Sequence, residues 1–379
     1  MSPIRALVVD DAVVVRRMVS DVLDEDPGIE VAGVAANGRI ALQKVPQVSP
    51  DVIILDVEMP VMDGLETLKA LGKEYPDLPV IMFSTLTERG AEVTLDALSL
   101  GASDYVTKPS NVGSVVLARQ RIREELIPRI YALTGQVGTT AQPSIPKRVE
   151  KPVATPALPT PRPRPVPSIR PHLPGRVTVV VVGVSTGGPN ALAEVIPALP
   201  RDFPVPVLIV QHMPPLFTRL LADRLTNAGG LPVEEATSGT RIVPGRALLA
   251  PGDWHMELEV RDGAHLVRLH QGPQENSCRP AVDVLFRSAA RVFGPGTLGV
   301  VLTGMGKDGL RGAEDICGAG GRVVVQDQAT SVVWGMPGYV AEAGLAHRIL
   351  PLDRVAGELR NAVGGGLRSN PFTTTVATG

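Results

Sequence analysis

The chain has 379 residues, a formal charge of −2 at pH 7 and 3% aromatic residues, and its length predicts two domains with connecting material. So small a net charge excludes a global attraction to nucleic acid or to a membrane surface, and the few aromatics argue against a stacking platform for single-stranded nucleic acid. Cys278 and Cys317 stand far apart in no metal-binding spacing, which suits a reducing cytoplasm, and Asp10 and Asp11 cut the apolar start too early for a secretory signal.

Residues 1–128 alternate between two periods. Short apolar runs predict strands over 4–9, 30–35, 52–55, 80–83 and 104–107, and helical patterns fill 12–24, 38–45, 64–74, 89–100 and 114–127. Five such units imply a parallel sheet with helices on both faces and a site at the carboxyl ends of its strands. Asp10 and Asp11 follow the first run, Asp56 the third, Ser84 the fourth and Lys108 the fifth. Singly, each Asp reads as a helix cap and the lysine as a solvated charge. Together, three carboxylates at one rim call for a hard divalent ion such as Mg²⁺, and a phosphoryl group could then sit on one of them against the hydroxyl and the ammonium.

This half resembles a two-component receiver domain. The resemblance rests on Val8-Val9-Asp10-Asp11, on Leu55-Asp56-Val57-Glu58-Met59-Pro60-Val61-Met62-Asp63-Gly64 and on Tyr105-Val106-Thr107-Lys108-Pro109. It implies Asp56 as phospho-acceptor from a histidine kinase, Asp10 and Asp11 with Asp56 as Mg²⁺ ligands, Ser84 as switch hydroxyl, Lys108 as phosphate contact and Tyr105 as the aromatic that repacks. It also implies a cis peptide before Pro109.

From about 134 to 175 prolines recur without apolar periodicity, which predicts a semi-extended tether. Seven basic residues there and at Arg176 face Glu150 alone; the expectation is a solvated spacer, with contact to an acidic surface the minority reading. A second domain is expected over 176–366. Its strands are predicted at 178–183, 205–211, 246–250, 254–260, 265–269, 297–303 and 322–325, and its helices at 189–199, 216–227, 281–293, 309–319, 337–343 and 351–363. The fold class is therefore α/β in both domains, each a doubly wound, mainly parallel sheet, with an antiparallel ribbon expected over 246–270.

The stretch Gly183-Val184-Ser185-Thr186-Gly187-Gly188-Pro189 follows a run of valines and lifts Ser185 onto a strand-to-helix turn, where backbone N–H groups could receive an oxyanion. A serine nucleophile needs a base, and the base an orienting acid. His212 follows the 205–211 strand, and Asp308 follows the 297–303 strand in a glycine-rich turn, where its ordinary role would be a helix cap. These rim positions argue for a Ser185–His212–Asp308 relay with the Thr186 and Met305 backbone amides as oxyanion donors. The rival wiring, in α/β-hydrolase order, is Ser185, Asp308 and His347; it fits less well because several strands precede the nucleophile in that fold.

The second domain resembles the catalytic domain of chemotaxis-type protein-glutamate methylesterases. The resemblance is carried by the Ser185 stretch, Val210-Gln211-His212-Met213-Pro214, Ala250-Pro251-Gly252-Asp253, Arg279-Pro280-Ala281-Val282-Asp283-Val284-Leu285-Phe286 and Leu302-Thr303-Gly304-Met305-Gly306-Lys307-Asp308-Gly309. It implies demethylation of glutamate methyl esters, and deamidation of glutamines, on methyl-accepting receptors, with Ser185 as nucleophile, His212 as base, Asp308 as orienter and Met305 at the oxyanion. It implies no cofactor in the catalytic domain, no membrane insertion, and a receiver that covers the cleft until Asp56 is phosphorylated. Arg279 is expected either to contact substrate or to form a structural salt bridge; His255 is expected to be structural, and Cys278 a small packed residue. A phospho-gated adaptor without turnover is the alternative, while a DNA-binding output lacks a basic recognition helix.

Overall fold

The computed structural model describes residues 2–109, 114–135 and 176–364. The tether expected over 134–175 lies almost wholly outside these residues, as does the tail after 366.

In chain order the strands and helices are β1 (Ile4–Val9), α1 (Val13–Asp24), β2 (Ile29–Ala35), α2 (Gly38–Val48), β3 (Val52–Asp56), α3 (Gly64–Glu74), β4 (Val80–Ser84), α4 (Glu88–Ser99), β5 (Asp104–Thr107) and α5 (Val115–Thr134). The five strands pair in parallel in the order β2-β1-β3-β4-β5. Period-two alternation divides their side chains: Ile4, Ala6 and Val8 face α1 and α5, whereas Leu7 and Val9 face the helices of the other side. Helix α5 continues past Pro128, where the sequence pattern predicts an end. A proline inside a helix costs about 3 kcal/mol, but Ile127, Ile130 and Tyr131 are buried beyond or beside it, and their burial offsets that cost.

After the tether come β6 (Val179–Val184), α6 (Gly188–Val195), β7 (Val207–Gln211), α7 (Pro215–Asn227), β8 (Val233–Glu235), β9 (Ala247–Leu249), β10 (His255–Arg261), β11 (Ala264–His270), α8 (Val282–Phe293), a short 3₁₀ turn, β12 (Thr297–Val301), α9 (Leu310–Gly318), β13 (Arg322–Gln326), α10 (Met336–Glu342), β14 (Arg348–Leu350) and α11 (Leu352–Gly364). Seven strands form a parallel sheet in the order β14-β13-β12-β6-β7-β9-β8. The expected ribbon is confined to β10 and β11; β9 joins the main sheet, parallel to β7 and β8. Strands β8 and β14 are three residues each, too short to show a period.

The strand order has a direct consequence for chemistry. Strand β6 lies between β12 and β7, so the residues just past these three neighbouring carboxyl ends come from Ser185, His212 and the turn that carries Asp308. The first domain packs against this one through α4 and β5 on its side and α6 and α7 on the other. Tyr105 stacks on Phe217 with ring centroids 4.8 Å apart, joining the two apolar cores.

Candidate active site

Parallel pairing matches Val184 to Gln211, so Ser185 and His212 occupy the next register position of adjacent strands. The Ser185 amide donates to Thr303 O at 3.0 Å and the His212 amide to Val184 O at 3.3 Å, which ties the serine turn to both neighbours. Gly304 permits this approach: a Cβ there would stand 2.8 Å from Ser185 Cβ and 2.5 Å from Met336 Sδ. His212 Nε2 lies 2.8 Å from Asp308 Oδ2. Asp308 is buried, and its other contacts are all donors: Val282 N to Oδ2, and Asn276 Nδ2, Asp283 N and Gly309 N to Oδ1. Burial pushes its pKa up, but His212 and these amides prevail and hold it below the usual carboxylate range. An ionised Asp308 only accepts, so the proton of a neutral His212 ring sits on Nε2 and Nδ1 carries the lone pair.

No hydrogen bond joins Ser185 Oγ to His212 among the described residues. The neighbour of His212 Nδ1 is Cys278 Sγ, at 3.6 Å. The backbone N–H groups of Thr186 and Met305 donate to no acceptor among the described residues, as oxyanion donors require. Burial alone would lower the pKa of His212, but Cys278 and Asp308 lift it to about 10.

Three contributors carry no sequence signal of this role. Asn276 donates one amide to both Asp308 Oδ1, at 2.9 Å, and Asp283 Oδ2, at 2.8 Å. Asp283 is buried, its pKa raised by that burial, and accepts from Gly309 N and Gly312 N. Cys278, expected to pack as a small apolar residue, instead meets the imidazole. All three belong to the loop and helix start after β11, where Asn276 and Ser277 both adopt left-handed backbone (φ 52° and 62°), a conformation Asn tolerates better than most residues. The cis X–Pro bond among the described residues is Arg279–Pro280; Lys108–Pro109 is not cis.

Arg279 is committed to this loop. Nε and one terminal nitrogen donate to Asp253 Oδ1 at 3.0 and 2.6 Å, and the other donates to Gln271 O and Gly272 O, which favours the salt-bridge reading over a substrate contact. His255 is held on both nitrogens, by Ala281 N and Pro273 O. His347 accepts from Val323 N near the amino end of β13, at the opposite end of the sheet from Ser185, so the rival wiring through His347 fails on position.

In the first domain Asp10, Asp11 and Asp56 place carboxylate oxygens within 4.8 Å of one another. Lys108 Nζ reaches Asp10 Oδ2 at 2.8 Å and Asp56 Oδ2 at 2.7 Å. Burial of Asp56 raises its pKa to about 6 against the opposing pull of Lys108. Ser84 is fully buried, with its hydroxyl accepting from Thr94 Oγ1 at 2.7 Å, and Thr85 rather than Ser84 lines the pocket beside Asp56. Asp104 and Tyr105, on the strand leading to Lys108, face the second domain: Asp104 Oδ2 accepts from Thr186 Oγ1 at 2.8 Å and from Arg129 Nε at 3.1 Å.

The family model for the response regulator receiver domain matches residues 6–119, and that for the CheB methylesterase matches 180–359. A protein-glutamate methylesterase/protein-glutamine glutaminase of Trichodesmium erythraeum is 51% identical, over 96% of this chain and 100% of its own. One of the same name from a Nocardioides species is 52% identical, over 95% of each. The solved CheB methylesterase catalytic domain of Thermotoga maritima is 43% identical with a TM-score of 0.48, covering 49% of this chain and 99% of that one. On the nearly full-length identity with these relatives, the chain belongs to the protein-glutamate methylesterase/protein-glutamine glutaminase family.

Proposed function

We propose that the protein hydrolyses glutamate methyl esters, and deamidates glutamines, on methyl-accepting chemotaxis-type receptors under the control of phosphorylation at Asp56. The observation that carries this reading is the His212–Asp308 pair beside Ser185 at three adjacent strand ends. Ser185 Oγ attacks the ester carbonyl as His212 Nδ1 takes its proton, and Asp308 stabilises the imidazolium. The Thr186 and Met305 amides meet the oxyanion; His212 returns the proton to methanol, and water clears the acyl-enzyme by the same route. Because Nδ1 faces Cys278 in the resting arrangement, substrate must draw the serine hydroxyl toward it, as apo sites commonly require.

Asp10, Asp11 and Asp56 suit a hard cation, since they offer only oxygen donors and an excess of negative charge. Mg²⁺ held there would neutralise charge on the phosphoryl group that a histidine kinase supplies. The switch then follows from the chain itself: Lys108 bonds Asp56 and stands one residue beyond β5, whose Asp104 and Tyr105 hold Thr186 and Phe217. A phosphoryl group on Asp56 changes what Lys108 must neutralise, and β5 carries that change to the turn beside the nucleophile.

Methanol release from methylated receptors, with and without a phosphoryl donor, tests the reading. Wild type should release methanol, faster with the donor, and Ser185→Ala should lose about three orders of magnitude or more. No release from either would leave the adaptor alternative, in which receptor binding survives Ser185→Ala.

A further inference from the structure

The contact of Cys278 with His212 has a use that ester hydrolysis does not absorb. A thiol becomes a strong nucleophile when a base within hydrogen-bond reach takes its proton, and the base works best when a third group orients it. Cys278 Sγ, His212 Nδ1 and His212 Nε2, Asp308 Oδ2 meet both conditions, at 3.6 and 2.8 Å. Cys278 is half-buried between exposed Ser277 and the anchored Arg279, so a small molecule can reach it.

The other cysteine of the chain supplies the contrast. Cys317, also half-buried, packs against the core of the second domain and donates to the Leu345 carbonyl, and burial pushes its thiol up to about 11. Of the two, Cys278 alone has a base beside it among the described residues.

We propose that Cys278 is a second nucleophile served by the His212–Asp308 pair, and that its oxidation by hydrogen peroxide switches off the hydrolysis of methyl esters at Ser185. His212 Nδ1 accepts the thiol proton while sulfur attacks one peroxide oxygen; the S–O bond forms and the O–O bond breaks. The departing hydroxide recovers the proton from the imidazolium and leaves as water. Sulfur loses two electrons to the peroxide and Cys278 becomes a sulfenic acid, the reversible rung of thiol oxidation. Its new hydroxyl donates to Nδ1 and occupies the lone pair that Ser185 needs. A low-molecular-weight thiol restores the site by forming a mixed disulfide and water, and a second one releases Cys278.

The test exposes the full-length protein to hydrogen peroxide with dimedone, maps the label by peptide mass, and follows methanol release in parallel, each variant scaled to its own untreated rate. Cys278 should label roughly tenfold or more faster than Cys317, and His212→Gln should slow that labelling by a similar factor. Peroxide should stop methanol release as the label appears, dithiothreitol should restore it when dimedone is omitted, and Cys278→Ser should resist. Equal labelling of the two cysteines, or labelling of Cys278 indifferent to His212→Gln, overturns the second nucleophile. Loss of activity in Cys278→Ser at the wild-type rate overturns the switch. The inference shares its histidine with the esterase reading, but labelling needs no receptor, so failure of that reading shows separately as no methanol release from untreated protein.

Discussion

At His212 two influences oppose each other: burial disfavours the imidazolium, while Asp308 and Cys278 favour it, and the balance lies at about 10. A protonated base is idle, so kcat/KM should rise with pH and level off only near 10. In Asp308→Asn the loss of charge and hydrogen bond should move that limb to lower pH and, with the tautomer no longer held, reduce kcat by about 10⁴. A pH-rate profile checks both; an unmoved limb would remove Asp308 from its orienting role. The sign for stability is opposite. A folded-state pKa raised above 6.5 makes the His212 contribution full below that pH and lost as pH rises toward about 10. At Asp56 burial raises the pKa to about 6, so without a bound cation that carboxylate gains a proton as pH falls through that value.

Among the elements, α5 departs most from its sequence pattern. Pro128 predicts a boundary, yet the last turns carry Ile130 at 0% exposure and Tyr131, whose hydroxyl donates to Asp26 Oδ1 at 2.6 Å. Ile130→Ala should cost about 2–5 kcal/mol in urea unfolding, as in a core, whereas a frayed terminus would cost near zero. The loop between β11 and α8 departs in another way. It has no apolar period, and its two left-handed residues bring Asn276 onto Asp308 and Cys278 onto His212. Such a path follows from the groups it reaches, not from local propensity.

Over the whole molecule, the two domains meet through contacts of unequal strength. Arg219–Glu88, at 2.9 Å, and Arg224–Asp96 are exposed pairs that salt screens, each worth about 0–1 kcal/mol. The Tyr105–Phe217 stack, the Thr186–Asp104 bond and the Asn190 Nδ2 donation to Leu98 O are more buried, and Thr186 directly follows Ser185. A fragment beginning at Arg176 should therefore turn over methyl esters faster than the unphosphorylated full chain, and equal rates would remove the gating reading. Asp104→Asn should weaken the hold on Thr186 and raise the basal rate toward that of the fragment.

Local chemistry accounts for what was legible in the chain alone. Apolar runs of strand length, helical periods between them, and acids, a lysine, a serine and a histidine directly after strands are short-range signals, and they led to two α/β domains and to Asp56, Ser185, His212 and Asp308 as candidates. Tertiary structure decided which strands are neighbours, because crossover connections and not adjacency in sequence put β6 between β12 and β7. It decided which imidazole nitrogen meets the acid, that Asn276 and Asp283 surround that acid, that Thr186 is held by Asp104, and that Cys278 touches His212. Each of these depends on segments far apart in the chain meeting at one rim, and no residue spacing encodes such a meeting.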